Sequence, residues 1–306
     1  MLNYPKISVI TPVKNSTKTL EKAILSLIAQ NYPNLEYIVI DGASTDGTLE
    51  VIEKYKQYIT YFSSKNDNNA AVATINGINA ASGDIITFLN ADDFYEINTL
   101  LKAGEEFKKD PSLDMVSFCY QVLRQDDNGK YKIIEKTTPN HIRLDRNKII
   151  ISYGINARFF KKDLFKKHGT IITMDDKNRT FFSNDIEYLI RLTLKGINNK
   201  TIDYIRYNYL SHDGSNTFSN NLENKIRLYE DKIFIAKRFL KSNNFDVPQI
   251  WKSAFIKWIV KYRALIVKLQ LRQLDLKNAS KNICFGIRES GISRFSFYLL
   301  KTIIRK

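Results

Sequence analysis

The chain has 306 residues, of which 43% are hydrophobic and 26% charged, so it can bury a sizeable core and most of it is expected to fold. Its two cysteines, Cys119 and Cys284, are far apart and form no CxxC pair, which excludes a disulfide scaffold and a structural zinc module and is typical of a reducing compartment. A run of about 18 apolar residues and a signal-peptide core are both absent, so we expect no membrane-spanning segment.

The net charge of +15 is unevenly distributed. Residues 221–306 contain 19 basic and 6 acidic residues, whereas residues 1–220 contain 28 and 26. A nucleic-acid-binding protein is expected to carry its basic charge in a groove across the folded domain. Because the excess charge lies in one terminal segment, we predict no nucleic-acid partner, although nucleic acid could use the same charge.

The first part of the chain alternates short β-branched runs with segments of helical apolar spacing. Such alternation predicts parallel strands joined by right-handed crossovers, with ligands bound beyond the carboxyl ends of the strands. The predicted elements are, in chain order, a strand at 7–13, a helix at 20–28, a strand at 35–40, a helix at 48–58, a helix at 69–81 and a strand at 84–89.

The pattern is less regular beyond Pro111. An Asp-Asn-Gly turn at 127–129 between two β-branched runs predicts a hairpin. The other predicted elements are a strand at 115–123, a helix at 181–194, a Tyr-rich strand at 201–210 and helices from about residue 221 onward.

Adjacent carboxylates, Asp92 and Asp93, follow the apolar strand at 84–89. Adjacent carboxylates repel each other, and a cation or a helix cap usually offsets the cost of that repulsion. Mg²⁺ is typically held by one or two carboxylates plus substrate phosphates. Capping of the next turn is the alternative. A second acidic loop, Asp41–Gly47, follows the strand at 35–40; it is either a ligand-binding loop or an ordinary turn. No GxGxxG or GxxxxGK[ST] motif occurs, which disfavours the common dinucleotide and phosphate-loop enzymes.

Three segments, ISVITPVKN, YIVIDGASTDGT and GDIITFLNADD, together resemble the inverting family 2 glycosyltransferases of the GT-A fold, over roughly residues 5–215. The resemblance implies an α/β domain with a mixed, mostly parallel central sheet at residues 1–215. Its nucleotide-binding half would be about 1–115 and its acceptor half about 116–215. A helical basic extension at 216–306 would follow.

The resemblance also implies the function. The protein would transfer one sugar from a nucleotide sugar, a UDP-sugar by analogy, to the hydroxyl of a carbohydrate or lipid-linked acceptor, with inversion, in polysaccharide, O-antigen or glycolipid assembly. The QxxRW motif of processive members is absent. A noncatalytic nucleotide-sugar-binding module and a metal-dependent nucleotidyltransferase remain alternatives.

The resemblance assigns roles residue by residue. The family's DxD motif matches Asn90, Ala91 and Asp92, so Asp92 would bind Mg²⁺ or Mn²⁺, while the change of the first Asp to Asn affects a contact to ribose or to a metal-bound water. Asp41 matches the residue that reads the uracil-type base. Thr11 and Pro12 match the backbone that lies along that base.

Three further residues are candidates from the resemblance. Asp67 matches a nucleotide contact, with capping of its loop as the alternative. Asp185, in Ser183-Asn184-Asp185, matches the catalytic base that deprotonates the acceptor; taken alone, it reads as a helix N-terminal acid. His212 matches a metal- or diphosphate-binding histidine, although a lone His in a polar loop is often only solvated.

The C-terminal segment combines aromatic and basic residues. We refer to Trp251, Phe255, Trp258, Tyr262, Leu265 and Leu269, which recur at helical spacing, as the aromatic stripe. Residues 251–306 hold 13 basic and 2 acidic residues. This predicts an interfacial helix on an anionic membrane and hence a cytoplasmic protein peripheral to the inner face of the cell membrane. Packing of the stripe against the catalytic domain is the alternative.

Overall fold

The computed structural model describes residues 4–66, 70–150, 154–171, 183–212 and 221–304. The chain divides into two compact units. Unit 1 comprises Met1–Leu144, Ile150–Thr173 and Asn184–His212, and unit 2 comprises Asp145–Ile149, Met174–Ser183 and Asp213–Lys306. Two short segments of unit 2 precede residue 215, so the units do not coincide with the predicted domains at 1–215 and 216–306. That division stays a prediction.

Unit 1 is built on a nine-stranded sheet. The strands are β1 (Ile7–Val13), β2 (Leu35–Asp41), β3 (Tyr61–Ser64), β4 (Ile85–Phe88), β5 (Phe94–Tyr95), β6 (Met115–Gln125), β7 (Tyr131–Lys136), β8 (Arg158–Lys161) and β9 (Asn199–Ser211). Their order in the sheet is β3-β2-β1-β4-β8-β6-β9-β5, and β7 pairs with β6. The β1-β2, β1-β4, β2-β3 and β6-β9 pairings are parallel, and those that involve β5, β7 or β8 are antiparallel.

The helices of unit 1 cover this sheet with their apolar faces. The helix at Ala70–Ala80, for example, approaches β1 closely: a Cβ atom built at its Gly77 would lie 2.3 Å from a side-chain carbon of Ile10. The helices are α1 (Leu20–Ile28), α2 (Thr48–Lys54), α3 (Ala70–Ala80), α4 (Thr99–Lys109), α5 (Pro139–Ile142), α6 (Asp163–His168) and α7 (Asn184–Lys195), with a 3₁₀ turn at Lys56–Tyr58.

The mixed α/β sheet followed by C-terminal helices confirms the predicted fold class. The predicted helix at 48–58 is shorter than expected, since α2 ends at Lys54 and the 3₁₀ turn follows it. The predicted helix at 181–194 begins at Asn184 in the described residues. Helices α4, α5 and α6 and strands β3, β5 and β8 have no counterpart in the sequence prediction.

Unit 2 contains four helices, α8 (Leu222–Lys241), α9 (Gln249–Arg272), α10 (Leu276–Ser290) and α11 (Ile292–Ile304), among the described residues. Phe239 of α8 stacks on Phe255 of α9, with ring centroids 5.7 Å apart. The indole N–H of Trp251 donates to the Arg146 carbonyl oxygen at 2.9 Å. In the part of the chain that the structure describes, no helix is both long enough and apolar enough to span a bilayer.

These contacts correct the prediction for the aromatic stripe. Trp251 and Phe255 are fully buried and Leu269 nearly so. Tyr262 stacks on Tyr229, with centroids 5.4 Å apart. Trp251, Phe255 and Leu269 are therefore covered by protein neighbours and cannot face lipid. Trp258, Tyr262 and Leu265 are half-buried.

Candidate functional site

The carboxyl ends of three parallel strands meet at one edge of the sheet. The register pairs Val13 of β1 with Asp41 of β2, and Ile10 of β1 with Phe88 of β4. Thr11, Pro12, Asp41 and the Asn90–Asp92 loop therefore gather at this edge, as the alternation of strands and helices predicts. The sheet edge brings together most of the residues that sequence analysis singled out.

Asp41 is fully buried at the end of β2. Its carboxylate accepts hydrogen bonds from the backbone N–H and the hydroxyl of Ser44, at 3.0 and 2.5 Å, and from the hydroxyl of Ser64 at 2.6 Å. A carboxylate has about four acceptor positions, so one remains for an N–H donor of a ligand. Ser44 and Ser64 thus orient Asp41, and sequence analysis missed both.

The loops after β1 and β2 hold each other in place. The backbone N–H of Asn15 donates to the Ser44 hydroxyl at 2.8 Å, and the side-chain oxygen of Asn15 accepts from the Thr45 N–H at 2.9 Å. Hydrogen bonds from Thr48 and Thr17 lower the pKa of Asp46 to about 2. These cross-links form a fixed wall beside Asp41.

Thr11 is also fully buried, and its hydroxyl accepts a hydrogen bond from Tyr37 at 3.3 Å. Because its side chain is covered and contacts Tyr37, only the backbone of Thr11 can line a ligand site. Pro12 is half-buried at the same edge. The role of both residues as backbone that lies along a base stays a prediction.

Asp92 lies in the loop after β4 and His212 directly after β9. The Nε2 atom of His212 is 3.0 Å from Oδ2 of Asp92. The side chain of Asp92 is 31% exposed and that of His212 is 42% exposed, so both are open to a ligand. The fold therefore brings together two residues that are 120 positions apart, both of which the resemblance assigns to metal binding.

The Asp92–His212 pair fits a divalent cation. A carboxylate oxygen and an imidazole nitrogen are both usable donors, and two ligands each about 2.1 Å from an octahedral ion lie about 3.0 Å apart. Among the described residues, no group of three or more His, Cys, Asp or Glu side chains is placed to hold a metal. A cation held by this pair would have ligand positions left for water and substrate phosphates, which Mg²⁺ usually binds.

Asp93 has a different environment from Asp92, because it is buried beneath the loop. Its Oδ2 accepts from the Tyr207 hydroxyl at 2.8 Å and from the Asn90 amide at 2.9 Å, and its Oδ1 accepts from the Leu210 N–H at 2.9 Å. Burial, and secondarily the charge of Asp92, raises the pKa of Asp93 well above its usual range. Asp93 therefore ties the Asp92 loop to β9, the strand that ends at Ser211, next to His212.

Asn90 replaces the first Asp of the family motif, and the network gives a physical reason for it. The Asn90 amide donates to Asp93, and its backbone N–H donates to the Tyr207 hydroxyl at 3.2 Å. A carboxylate at position 90 would place a second negative charge against Asp93. Ala91 is buried beside it.

Asp185 lies in the first turn of α7, partly exposed, and its carboxylate accepts from the Ile186 N–H at 2.9 Å. Loss of water around the phenol raises the pKa of Tyr209 well above its usual value, and the charges of Asp93 and Asp185 add to this effect. Asp93 and Asp185 thus both contribute to the electrostatic environment of Tyr209 within unit 1.

Helix α7 is held firmly in unit 1. Its Tyr188 stacks on Phe165 of α6, with centroids 5.4 Å apart and planes inclined by 6°. Its Arg191 pairs with the buried Glu187 at 2.7 Å and donates to the Thr170 carbonyl oxygen at 2.9 Å. This packing fixes the helix turn that carries Asp185. Asp67 lies outside the described residues.

Comparisons with known proteins show which family and fold the chain resembles. The model of the family described as Glycosyl transferase family 2 matches residues 8–176. An uncharacterized glycosyltransferase of Haemophilus influenzae is 42% identical over 105 residues, which cover 33% of this chain and 42% of that protein. TuaG of Bacillus subtilis, named as a teichuronic acid biosynthesis glycosyltransferase, is 31% identical over 140 residues, 44% of this chain and 54% of that protein.

Solved structures show the same fold at low identity. S. aureus TarS 1-349 in complex with UDP-GlcNAc has a TM-score of 0.58 at 18% identity, covering 98% of this chain and 93% of that chain. The mannosyltransferase PcManGT of Pyrobaculum calidifontis, in complex with GDP-Man and Mn²⁺, has a TM-score of 0.60 at 15% identity, covering 98% and 88%.

The matched segments span about half or less of the length of these two curated relatives. The family model, by contrast, matches more than half of this chain and includes the Asp41 loop and the Asp92 loop. The chain belongs to glycosyl transferase family 2.

Proposed function

We propose that this protein is a metal-dependent, inverting glycosyltransferase that moves one sugar from a nucleotide sugar to an acceptor hydroxyl. The observation that carries the proposal is the pairing of Asp92 with His212 at 3.0 Å, at the sheet edge that also carries Asp41, in a chain of family 2. A ligand held there contacts the carboxyl ends of the parallel strands, where such folds bind nucleotides.

The donor is a nucleoside diphosphate sugar, and we favour a UDP-sugar. The TarS fragment binds UDP-GlcNAc and PcManGT binds GDP-Man, which supports this class of donor. Asp41, with its remaining acceptor position, would take an N–H of the base, while the backbone of Thr11 and Pro12 lies along the base. Asp67 and the Asn90–Ala91 backbone are proposed as further nucleotide contacts.

Asp92 and His212 would hold Mg²⁺ or Mn²⁺ against the donor diphosphate. Such a cation, when bound, offsets the negative charge that develops on the leaving nucleoside diphosphate. Asp93 and Tyr207 keep the Asp92 loop in position from below, through the hydrogen bonds to Asp93. Asp92 would thereby be presented to the cation on a loop that these hydrogen bonds hold in place before the donor binds.

Asp185 is the proposed catalytic base. An acceptor hydroxyl has a high pKa, so it needs a proton acceptor as it attacks the sugar C1. Attack from the face opposite the nucleotide inverts the configuration at C1, and the Asp185 carboxylate takes the hydroxyl proton. The acceptor is a carbohydrate, free or lipid-linked, and TuaG, named for teichuronic acid biosynthesis, supports a role in polysaccharide or glycolipid assembly.

The test is release of nucleoside diphosphate from a panel of UDP-, GDP- and dTDP-sugars, with Mn²⁺, Mg²⁺ or EDTA. We expect metal-dependent release from at least one donor. Asp185→Asn should keep donor affinity and lower kcat by about 10²–10⁴-fold. Asp163→Asn is the matched control, because Asp163 is also an acid in the first turn of a helix of unit 1.

Two results would count against the proposal. The first is the absence of release from every donor with either metal. The second concerns the base alone: if Asp185→Asn lost donor affinity in proportion to rate, Asp185 would support the structure and would not act on the acceptor.

A further inference from the structure

The outer face of α11 carries large apolar side chains that unit 2 does not cover. Ile292, Phe297, Leu300 and Ile303 are 68%, 62%, 59% and 45% exposed. With about 100° per residue, these four side chains fall within an arc of about 140° on the helix. They dominate an exposed face that also contains the small polar side chains of Ser293 and Ser296, and an exposed apolar patch of this kind marks an interaction site.

The opposite face of α11 anchors the helix to unit 2. Phe295 is fully buried in a cluster with Val260, Ala264 and Val267 of α9. Gly286 of α10 makes room for it, since a Cβ atom there would lie 2.1 Å from the Phe295 ring. The side on which α11 packs is thus fixed, and the apolar arc faces outward.

Basic residues border the apolar arc. Arg294 and Lys301 are exposed and fall about 180–200° from Ile292 on the helix, next to Phe297. The ammonium group of Lys301 lies 5.9 Å from the Phe297 ring centroid. On α10, the ammonium group of Lys281 lies 6.0 Å from the exposed Phe285 ring.

The acidic residues of this segment do not offset that charge. Residues 271–304 contain six basic residues and only two acidic ones, Asp275 and Glu289. Asp275 caps α10 by accepting from the Asn278 N–H at 3.2 Å. Glu289 pairs with Arg263 at 2.9 Å and with Lys237. All six basic side chains are exposed: Arg272, Lys277, Lys281, Arg288, Arg294 and Lys301.

We propose that the α10–α11 surface, defined as the apolar arc of α11 and these six basic residues, binds an anionic lipid membrane. The apolar arc would enter the headgroup boundary, while the cations contact lipid phosphates. A second copy of the chain fits less well, because an isologous contact would set each basic rim against the same rim. Nucleic acid would use the cations but leave the apolar arc exposed. The proposal is independent of glycosyl transfer.

The experiment is flotation of the full chain with vesicles of phosphatidylcholine alone or with about 30% phosphatidylglycerol. We expect binding to the anionic vesicles at about 50 mM salt, loss of binding at about 500 mM, and none to neutral vesicles. Phe297→Ser/Leu300→Ser should weaken vesicle affinity at least about tenfold. Arg294→Gln/Lys301→Gln should weaken it on the order of 20-fold.

Matched controls lie on β7 and its turn in unit 1. Ile133→Ser/Ile134→Ser removes two exposed apolar side chains, and Lys130→Gln/Lys136→Gln removes two exposed cations. Both controls should bind vesicles like the unchanged chain. All variants change exposed side chains and should keep its thermal unfolding transition.

Four results would overturn the proposal. They are no binding to anionic vesicles at low salt, equal loss in the control variants, tighter binding to duplex DNA than to vesicles at the same salt, and dissociation of an oligomer by Phe297→Ser/Leu300→Ser with vesicle binding unchanged. The last result would assign the apolar arc to a second copy.

Discussion

The hydroxyl of Tyr207 lies at the centre of the network beneath the Asp92 loop. It donates to Oδ2 of Asp93 at 2.8 Å and accepts from the Asn90 N–H at 3.2 Å and the Asn156 amide at 3.1 Å. Tyr207→Phe removes this one oxygen and leaves the ring, so it creates almost no cavity. The cost of the change therefore measures the hydrogen bonds alone.

The structure sets the size of the effect. The hydrogen bond to a carboxylate contributes about 1.5–3 kcal/mol, and each neutral one contributes about 1 kcal/mol. The three hydrogen bonds together make Tyr207→Phe lower the free energy of unfolding by about 3.5–5 kcal/mol. Tyr209→Phe is the matched control, because its hydroxyl accepts from the Asn156 N–H at 3.3 Å, and this loss should cost about 1 kcal/mol.

The assay is equilibrium urea unfolding of both variants and the unchanged chain at pH 7. A difference of about 2.5–4 kcal/mol between the two variants is the result expected if this network holds the Asp92 loop in place. If Tyr207→Phe and Tyr209→Phe agreed within about 0.5 kcal/mol, which is the usual effect of a neutral surface change, the reasoning would be refuted.

Three further predictions use the same unfolding measurement. Burial alone would raise the pKa of Glu36, but hydrogen bonds from Ser8 and Ser82 lower it to about 2. Glu36→Gln should therefore lower the free energy of unfolding by about 2–3 kcal/mol at pH 7, and this loss should shrink from about pH 4.5 toward pH 2. A loss that does not change with pH would contradict the prediction. Asn90→Asp removes the amide that donates to Asp93 and places a second carboxyl there, so it should lower the free energy of unfolding by about 2 kcal/mol at pH 7. The cost should decrease as the pH is lowered and one of the two carboxyls takes up a proton; a neutral effect at pH 7 would contradict the prediction. Gly286→Ala gains helix propensity, but the new methyl group overlaps the buried ring of Phe295. The free energy of unfolding should therefore fall by about 1–2 kcal/mol, and a gain in stability would show that the ring moves aside.

Local patterns were sufficient to predict strands β1, β2 and β4 and helix α1. The β-branched run Ile7–Val13 and the apolar spacing of Leu20–Ile28 predict β1 and α1 with the observed bounds. Helix α4 was missed although Leu100, Ala103 and Phe107 are buried at helical spacing, a signal that the sequence contains. Strand β8 has four residues and is defined by its antiparallel pairing with β4 and β6, which no local pattern encodes.

The candidate site shows the same division. The strand-end position of Asp92 is readable from the apolar strand before it, whereas its partner His212 lies 120 residues away and was identified by resemblance alone. The Tyr207–Asp93 hydrogen bond depends on the register of β9, in which Tyr207 faces Tyr95 of β5. Such a long-range register cannot be derived from either strand by itself.

The aromatic stripe illustrates a further limit. Its spacing correctly predicts one face of a helix, now seen as part of α9. The sequence could not say what covers that face, because burial against protein and burial in lipid select the same apolar side chains. The exposed arc of α11 became visible only once Phe295 was seen to occupy the opposite face.

The most direct test of the proposed donor site is calorimetric titration of the full chain with UDP, GDP, CDP and dTDP, in Mn²⁺ and in EDTA. At least one nucleotide should bind in Mn²⁺ and lose at least about tenfold in affinity in EDTA, because the diphosphate and the Asp92–His212 pair share the cation. Asp92→Asn should show the same loss in Mn²⁺, whereas Asp127→Asn, a change in the exposed turn after β6, should bind like the unchanged chain. Equal affinity with and without metal, or unchanged binding by Asp92→Asn, would contradict the account.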